Sequence, residues 1–402
     1  VTRARTLPPG DAPVRQEGLR HLNLGLVFRH ILSAGDRPIS RTELVELTGL
    51  TKPTVSRIVD DLVLGQLIAE AAPVHGGGAG RPRVGLTLSR QGPAGLGLDI
   101  RGDHLAACVV DLTGTVRHLS FSPPIRPGRR PKTILTELAT MAREATAAVA
   151  DEGLTVVGGM VSVPGPVAER SVVKFAPQQG WRDVDAGTLL RTALDDLPIA
   201  VDNEANLAAL GELYASDEDL RNFAYVSGEL DLGAGLVLNG QLLRGARGWS
   251  GELGHVTVFP NGRACPCGAN GCLQTYASVE AIFGPGSVDG PATIVTRADA
   301  GSKRTLAALD AAGTALGIAL SDLVNLLDMD TILLGGSYSL LSSWLVDNIQ
   351  AELSRRVLSS RWSTVAVRPA MLGPDAAVIG AALTVIEDVR QNPSGWLAHN
   401  SL

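Results

Sequence analysis

The sequence predicts an α/β protein in which a small, basic, helical module precedes a large acidic one. Three observations predict it. At 402 residues the chain exceeds a single ordinary core, so two or three domains are expected. Residues 1–90 carry 12 Lys and Arg against 8 Asp and Glu, whereas the remainder carries 23 against 33. After Gln91-Gly92-Pro93 the pattern changes from helices to strands alternating with helices, which is how a layered α/β architecture reads.

The composition, 45% hydrophobic and 19% charged, is that of a soluble globular protein, and no apolar run is expected to cross a bilayer. Residues 1–18 are rich in Arg and Pro without the apolar stretch of a signal peptide, and read as a disordered tail of a cytoplasmic protein.

The module at 19–90 opens with "LNLGLVFRHILSA", whose Leu22, Leu26, Val27 and Ile31 recur at helical spacing. Two helices joined by a tight turn follow. Ser40 and Glu43 form an S-x-x-E capping box at the start of the first. Thr48-Gly49-Leu50 makes the turn, Gly49 supplying its left-handed backbone. Thr51 is a suitable N-cap for the second helix and Pro53 is tolerated in its first turn. Leu44, Leu47, Leu50, Val55, Ile58, Val59 and Leu62 are the expected shared core. "LIAEA" and "VGLTL" then read as two strands flanking the glycine-rich, basic "APVHGGGAGRPR". The whole is a winged helix-turn-helix.

Thr51, Lys52, Thr54, Ser56 and Arg57, at the start of the second helix, suit base edges and phosphates in a major groove. Arg81 and Arg83 in the wing suit phosphates or a minor groove. A basic module on an acidic chain points the same way. The alternative is a helical interaction domain with a solvated polar face.

In the acidic part (91–402), "GLGLDI", "LAACVVDL", "VVGGMVSV", "IAVD", "NFAYVS" and "AGLVLN" are candidate strands. "KTILTELATMAREATAAVADE" and "EANLAALGELYA" are candidate helices. Ligands are expected near strand ends. Cys108 sits alone in an apolar run and reads as a core residue. Cys265, Cys267 and Cys272, with His255 ten positions before the first of them, offer three thiolates and an imidazole. Such a set, closed by Pro266, Gly268 and Gly271, suits a structural Zn²⁺ with no open position. Unligated thiols remain an alternative, as does a disulfide in an oxidising compartment.

Several segments identify the chemistry together. "VPGPV", "VDNEANLAALGE", "GLVLNGQLLRG", "GELGH", "CPCGANGCLQTYAS", "ILLGGS" and "LGPDAAVIGAAL" occur in this order. The region from 93 to 390 thereby resembles the ROK family of bacterial sugar kinases and sugar-responsive repressors. The resemblance implies a two-lobed, actin-like ATPase fold of the ribonuclease H type. Its repressors carry an N-terminal winged helix, as this chain does. The resemblance also implies that the His-Cys-Cys-Cys set is the family's zinc site.

For the sugar, the positions matching the family's contacts are Asn203, Glu204, Glu252, His255 and Gln274, with Gly165 close by. Two depart from the kinases. Glu204 stands where they place an aspartate as general base; the extra methylene shifts the carboxylate by about an ångström, which costs on the order of 10²-fold in rate. Gln274 stands for a glutamate, removing a charge and adding a donor.

Both phosphate loops are degraded. The family's D-x-G-G-T reads Asp99-Ile100-Arg101-Gly102-Asp103, and its G-T-G-x-G falls on Glu229-Leu230-Asp231-Leu232-Gly233. Glycines there let backbone amides reach phosphate oxygens. A carboxylate about 4 Å from a phosphate, at an effective dielectric near 20, costs on the order of 4 kcal/mol. No ATP is expected to bind. The expectation is therefore a sugar-responsive, DNA-binding regulator acting as a homodimer or dimer of dimers on operator DNA, and not an enzyme. The alternatives are a sugar kinase with an appended DNA-binding domain and a sugar-binding adaptor whose winged helix meets protein.

Overall fold

The computed structural model describes residues 16–74, 83–125, 128–176, 179–216, 220–228, 232–284 and 290–399. Residues 1–15, Arg81 and the loop residues Glu229, Leu230 and Asp231 lie outside them, as does the side chain of Arg83.

The N-terminal module contains α1 (Gln16–Ser33), β1 (Ile39–Ser40), α2 (Arg41–Thr48), α3 (Lys52–Leu64), β2 (Ile68–Val74) and β3 (Arg83–Leu88). Helix α1 opens at Gln16, inside the stretch expected to be a disordered tail. The capping box forms as read: Ser40 Oγ accepts from Glu43 N while the Glu43 carboxylate accepts from Ser40 N. Gly49 terminates α2 at φ 69°, and the Thr51 side chain caps α3. The strand Ile39–Ser40, which the sequence reading missed, completes a three-stranded wing sheet in the order β1-β3-β2. Leu47, expected in the core, is 54% exposed, and Leu22, one of the helically spaced residues of α1, is 59% exposed. The buried stripe of α1 is instead Leu24, Val27, Phe28 and Ile31.

The rest is built twice over. Lobe 1 has β4 (Gly92–Ile100), β5 (Leu105–Asp111), β6 (Val116–Phe121), α4 (Pro131–Ala150), β7 (Leu154–Val163), β8 (Val167–Ala168), β9 (Val172–Ala176), β10 (Trp181–Asp185), α5 (Ala186–Ala193) and β11 (Ile199–Asn203). Helix α6 (Glu204–Ala215) leads into lobe 2: β12 (Phe223–Gly228), β13 (Leu232–Leu238), β14 (Gln241–Leu242), α7 (Gln274–Ala277), α8 (Val279–Phe283), α9 (Pro291–Asp299), α10 (Lys303–Leu327), β15 (Thr331–Leu334), α11 (Ser337–Arg356) and β16 (Ala366–Pro369). Finally α12 (Ala376–Gln391) and α13 (Pro393–His399) return to lobe 1 and the N-terminal module.

The two five-stranded sheets run β6-β5-β4-β7-β11 and β14-β13-β12-β15-β16. In each, the first three strands are antiparallel neighbours and the last two join parallel. Every residue of β4 and β5 is buried, as expected of central strands covered on both faces. Cys108 is one of them, and burial pushes its thiol up to about 12, which makes it an inert core residue.

Helices α6 and α12 lie between the sheets. Ala208 and Ala209 of α6 pack with Phe223, Val237 and Leu333 of lobe 2, whereas Val378, Ala382 and Leu383 of α12 pack with Ala106, Cys108 and Val110 of lobe 1. One expectation is corrected here: α10 is long and apolar enough to cross a membrane. Its Leu309, Leu316, Leu320 and Val324 are instead core residues of lobe 2, since lobe 2 needs one thoroughly apolar helix beneath its sheet.

Candidate functional site

Strand β11 ends at Asn203, the N-cap of α6. Asn203 Oδ1 accepts from Ala205 N at 2.9 Å, and its Nδ2 donates to Gly165 O at 3.1 Å. The side chain thus caps a helix and ties down the "VPGPV" turn of lobe 1. Gly165 has φ 84°, and a Cβ there would lie 2.0 Å from Phe175 O, so only glycine fits. Behind them, buried Asp202 accepts from Asn203 N at 2.8 Å, from Asn206 Nδ2 at 3.1 Å and from Arg244 at 2.5 Å. Asp202 and Arg244 were not singled out from the sequence, although both lie in quoted segments. Their role is to hold the α6 N-terminus, which places Glu204 at the cleft.

In lobe 2 a loop folds around its own sulfurs. Cys265 N donates to Ala269 O and Gly268 N to Cys265 O. Gly268 and Gly271 have φ 97° and 72°, and a Cβ on Gly271 would lie 1.7 Å from Phe259 O. The loop brings Cys267 Sγ to 3.7 Å from Cys272 Sγ and Cys265 Sγ to 3.8 Å from His255 Nδ1. All four donor atoms lie within 4.8 Å of one another. Zn–S bonds of about 2.3 Å put tetrahedral sulfurs about 3.8 Å apart, so this donor set fits a tetrahedral zinc. The Ala269 amide N–H holds the Cys267 thiol down to about 7, whereas burial pushes Cys272 up to about 12. A bound cation would supply what the second thiol lacks, because thiolate ligation displaces its proton.

Gln274 joins this loop to the cleft. Its Nε2 donates to Cys265 Sγ at 3.3 Å. With a metal bound, Cys265 would be a thiolate, which only accepts, and the contact would then fix which way the amide points. Oε1 is left on the side of Gly254, whose Cβ would lie 3.3 Å from it.

Gly165, Asn203, Glu204, Glu252, His255 and Gln274 all line one cleft of about 1160 Å³ between the lobes. Glu252 stands at the start of a 3-10 turn, Leu253–His255, so the cleft carboxylate and the metal-facing imidazole share a rigid element. Pro166 and Phe175 supply apolar surface. Carboxylates and amides beside such a surface suit a polyhydroxylated ligand, whose hydroxyls need donors and acceptors and whose C–H faces need apolar cover. Across the mouth, Trp249 Nε1 of lobe 2 donates to Val167 O of lobe 1 at 3.0 Å.

The first phosphate loop holds a different feature. Arg101 Nε donates to the fully buried Asp99 at 2.6 Å, and its guanidinium also donates to Pro374 O at 2.7 Å and lies 3.5 Å from Asp375. The Arg101 side chain thus ties the end of β4 to the turn before α12. Only the lost glycine was legible in the sequence. The second loop's Glu229 and Asp231 lie outside the described residues; the flanking Gly228 and Leu232 pair directly across β12 and β13. At "ILLGGS", Tyr338 is buried and its hydroxyl donates to Ala277 O at 2.8 Å, which bolts α11 to α7.

In the N-terminal module, Thr51, Lys52, Ser56 and Arg57 are exposed and Thr54 is half-buried. Thr51 and Thr54 hydrogen-bond each other at 2.8 Å. Among the described residues Arg20, Arg37 and Arg41 are paired with Asp61, Glu43, and Asp60 and Glu70. Lys52 and Arg57 are exposed at the start of α3 and make no such pair among the described residues.

The ROK family sequence profile matches residues 95–388. The chain belongs to the ROK family. It is similar to the xylose repressor of Bacillus spizizenii, 30% identical over 383 residues, covering 92% of this chain and 97% of the relative. The glucokinase of Streptomyces coelicolor is 30% identical over 312 residues, covering 71% and 96%. Among solved structures, a ROK family transcriptional regulator described as a homologue of the E. coli MLC protein superposes with TM-score 0.77 at 26% identity. It covers 95% of this chain and 98% of that one. A ROK glucokinase from Streptomyces griseus, in complex with glucose and AMPPNP, gives 0.62 at 28% identity, covering 72% and 98%. The two regulators thus cover 92% and 95% of this chain, and the two kinases 71% and 72%.

Proposed function

We propose that this ROK protein is a sugar-responsive transcriptional repressor of carbohydrate genes, its cleft binding a sugar without phosphorylating it. The observation that carries the reading is a contrast between two places. The polar residues suited to a sugar converge on the cleft, while in the turn after β4, where the resemblance puts the first phosphate loop, Arg101 pairs with Asp99. A kinase needs that loop open to backbone amides and Mg²⁺. The winged helix, through Lys52, Thr54, Ser56 and Arg57 of α3, reads the major groove of operator DNA.

Xylose is the first ligand to test, because the repressors covering nearly the whole chain carry its name. In this reading Zn²⁺ on His255, Cys265, Cys267 and Cys272 is structural and fixes Glu252 and Gln274 for the sugar. The protein works in the cytoplasm as a dimer whose two α3 helices meet half-sites about one helical turn apart. The sugar acts by preferring one lobe arrangement, since a ligand that binds both equally shifts nothing.

A thermal-shift screen over pentoses, hexoses and amino sugars, followed by binding to the duplex upstream of the chain's own gene with and without the best sugar, tests the reading. Stabilisation by one sugar and a sugar-dependent operator affinity are expected. Sugar-dependent release of ADP from ATP would overturn it in favour of a kinase.

A further inference from the structure

The N-terminal module is not tethered by its linker alone. Its core is continuous with the C-terminal helices: Leu24, Val27, Phe28 and Ile31 of α1 cluster with Leu112 of lobe 1, Ile386 and Val389 of α12, and Trp396 and Leu397 of α13. Trp396 Nε1 donates to Gly65 O, the cap of the recognition helix, at 2.7 Å. A Cβ on Gly65 would lie 2.0 Å from the Leu397 side chain, so α13 is seated directly on the end of α3.

At its other end α12 meets the sugar cleft indirectly. Arg101 binds Pro374 O and faces Asp375, the residue preceding α12, and so pins that end to β4. In mid-helix α12 crosses α6, the helix that carries Asn203 and Glu204 at its start. A Cβ on Gly380 would lie 1.9 Å from Leu207 O, and one on Gly211 would lie 2.9 Å from Gly380 Cα. The two backbones touch with no side chain between them. Because α6 packs on the sheet of lobe 2 and α12 on that of lobe 1, any change of lobe angle is taken up at this crossing.

We propose that α12 and α13 form the lever that carries the sugar signal to the DNA-reading helix. It turns on α6 at Gly211 and Gly380, with Arg101 as its pin on β4 and Trp396 as its latch on α3. The inference rests on the regulator reading above. From Gly380 to the end of α12 is about 16 Å at about 1.5 Å per residue, so a turn of about 10° moves that end by about 3 Å. Such a displacement, doubled in a dimer, is enough to take two recognition helices out of register with their half-sites.

The test is the ratio of operator affinities with and without sugar, measured on the full-length chain with D-xylose and, separately, D-glucose. Coupling in such systems is about 5- to 150-fold. Trp396→Phe, which keeps the ring and loses the N–H, and Arg101→Lys, which keeps the charge and loses the fork, are each expected to bring the ratio at least about threefold closer to one. Sugar affinity, read by thermal shift, stays near that of the wild type. Insertion of two glycines after Arg90, which slackens the linker and loosens the Arg117 contact to Arg90 O but leaves α12 and α13 untouched, leaves the ratio unchanged. The inference is overturned if both substitutions leave the ratio intact, or if the linker insertion alone abolishes it. A wild-type chain whose operator affinity responds to neither sugar overturns the regulator reading as well, so the two failures are distinguishable.

Discussion

Gln274 offers the sharpest test of the proposal that a metal and a sugar share one wall. Its Nε2 lies 3.3 Å from Cys265 Sγ, and Gln274→Glu replaces that donor with a carboxylate. An oxygen held at the same place against a thiolate would cost about 5 kcal/mol at an effective dielectric near 20. The side chain escapes most of this by swinging into the cleft. What persists is the loss of the N–H···S contact that orients Cys265. Contacts of this kind are worth about 10- to 100-fold in metal affinity. The assay is zinc transfer to a chromophoric chelator from purified protein, with thiol accessibility followed in parallel. Gln274→Glu should release zinc at least about tenfold faster, and Gln274→Met, which keeps the bulk without either donor or charge, should fall between. Equal release rates for wild type and Gln274→Glu would refute the argument, since the amide would then not face the thiolate at all.

Two further outcomes follow from the geometry. Arg57→Ala should weaken operator binding about equally across sequences and lower the salt slope by about one, which fluorescence anisotropy at several salt concentrations measures. Glu352 is buried on α11 against Gly317 of α10, and the hydrogen bond from Arg355, with Arg356 beside it at 2.5 Å, holds its carboxyl down to about 2 from 4.5. A depressed folded pKa gives stability that is present above the unfolded value and lost as pH falls. Glu352→Gln should therefore lower Tm at pH 7 but hardly at all near pH 2, the difference vanishing across the window from 4.5 to 2.

Much of the fold was legible because its signals are local. The capping box, the left-handed Gly49 and the Thr51 cap depend on three or four adjacent residues, and the cysteine loop on eight. Leu47 misled for the opposite reason. Helical spacing marks an apolar stripe, but only the packing of α13 and the wing decides which edge of the stripe is covered. The short strands β8 to β10 carry too few residues to show a period. At the site, the residues that touch the cleft stood in recognisable motifs. The ones that hold them did not: Asp202 to Arg244 and Arg101 to Pro374 are contacts across 42 and 273 positions of chain, which no spacing can announce.

The continuity of the first core with the last helix also bears on how this architecture can be re-engineered. A fragment ending near residue 90 would expose the face that Leu112, Ile386, Val389 and Leu397 now cover. Grafting a new DNA-reading head onto the sugar-binding body therefore needs two cuts rather than one. The incoming head must bring its own C-terminal cap, or be resurfaced to accept Trp396 and Leu397. Chimeras joined only at the linker should express poorly and aggregate, while those exchanging both termini should fold with the donor's operator preference and the recipient's sugar.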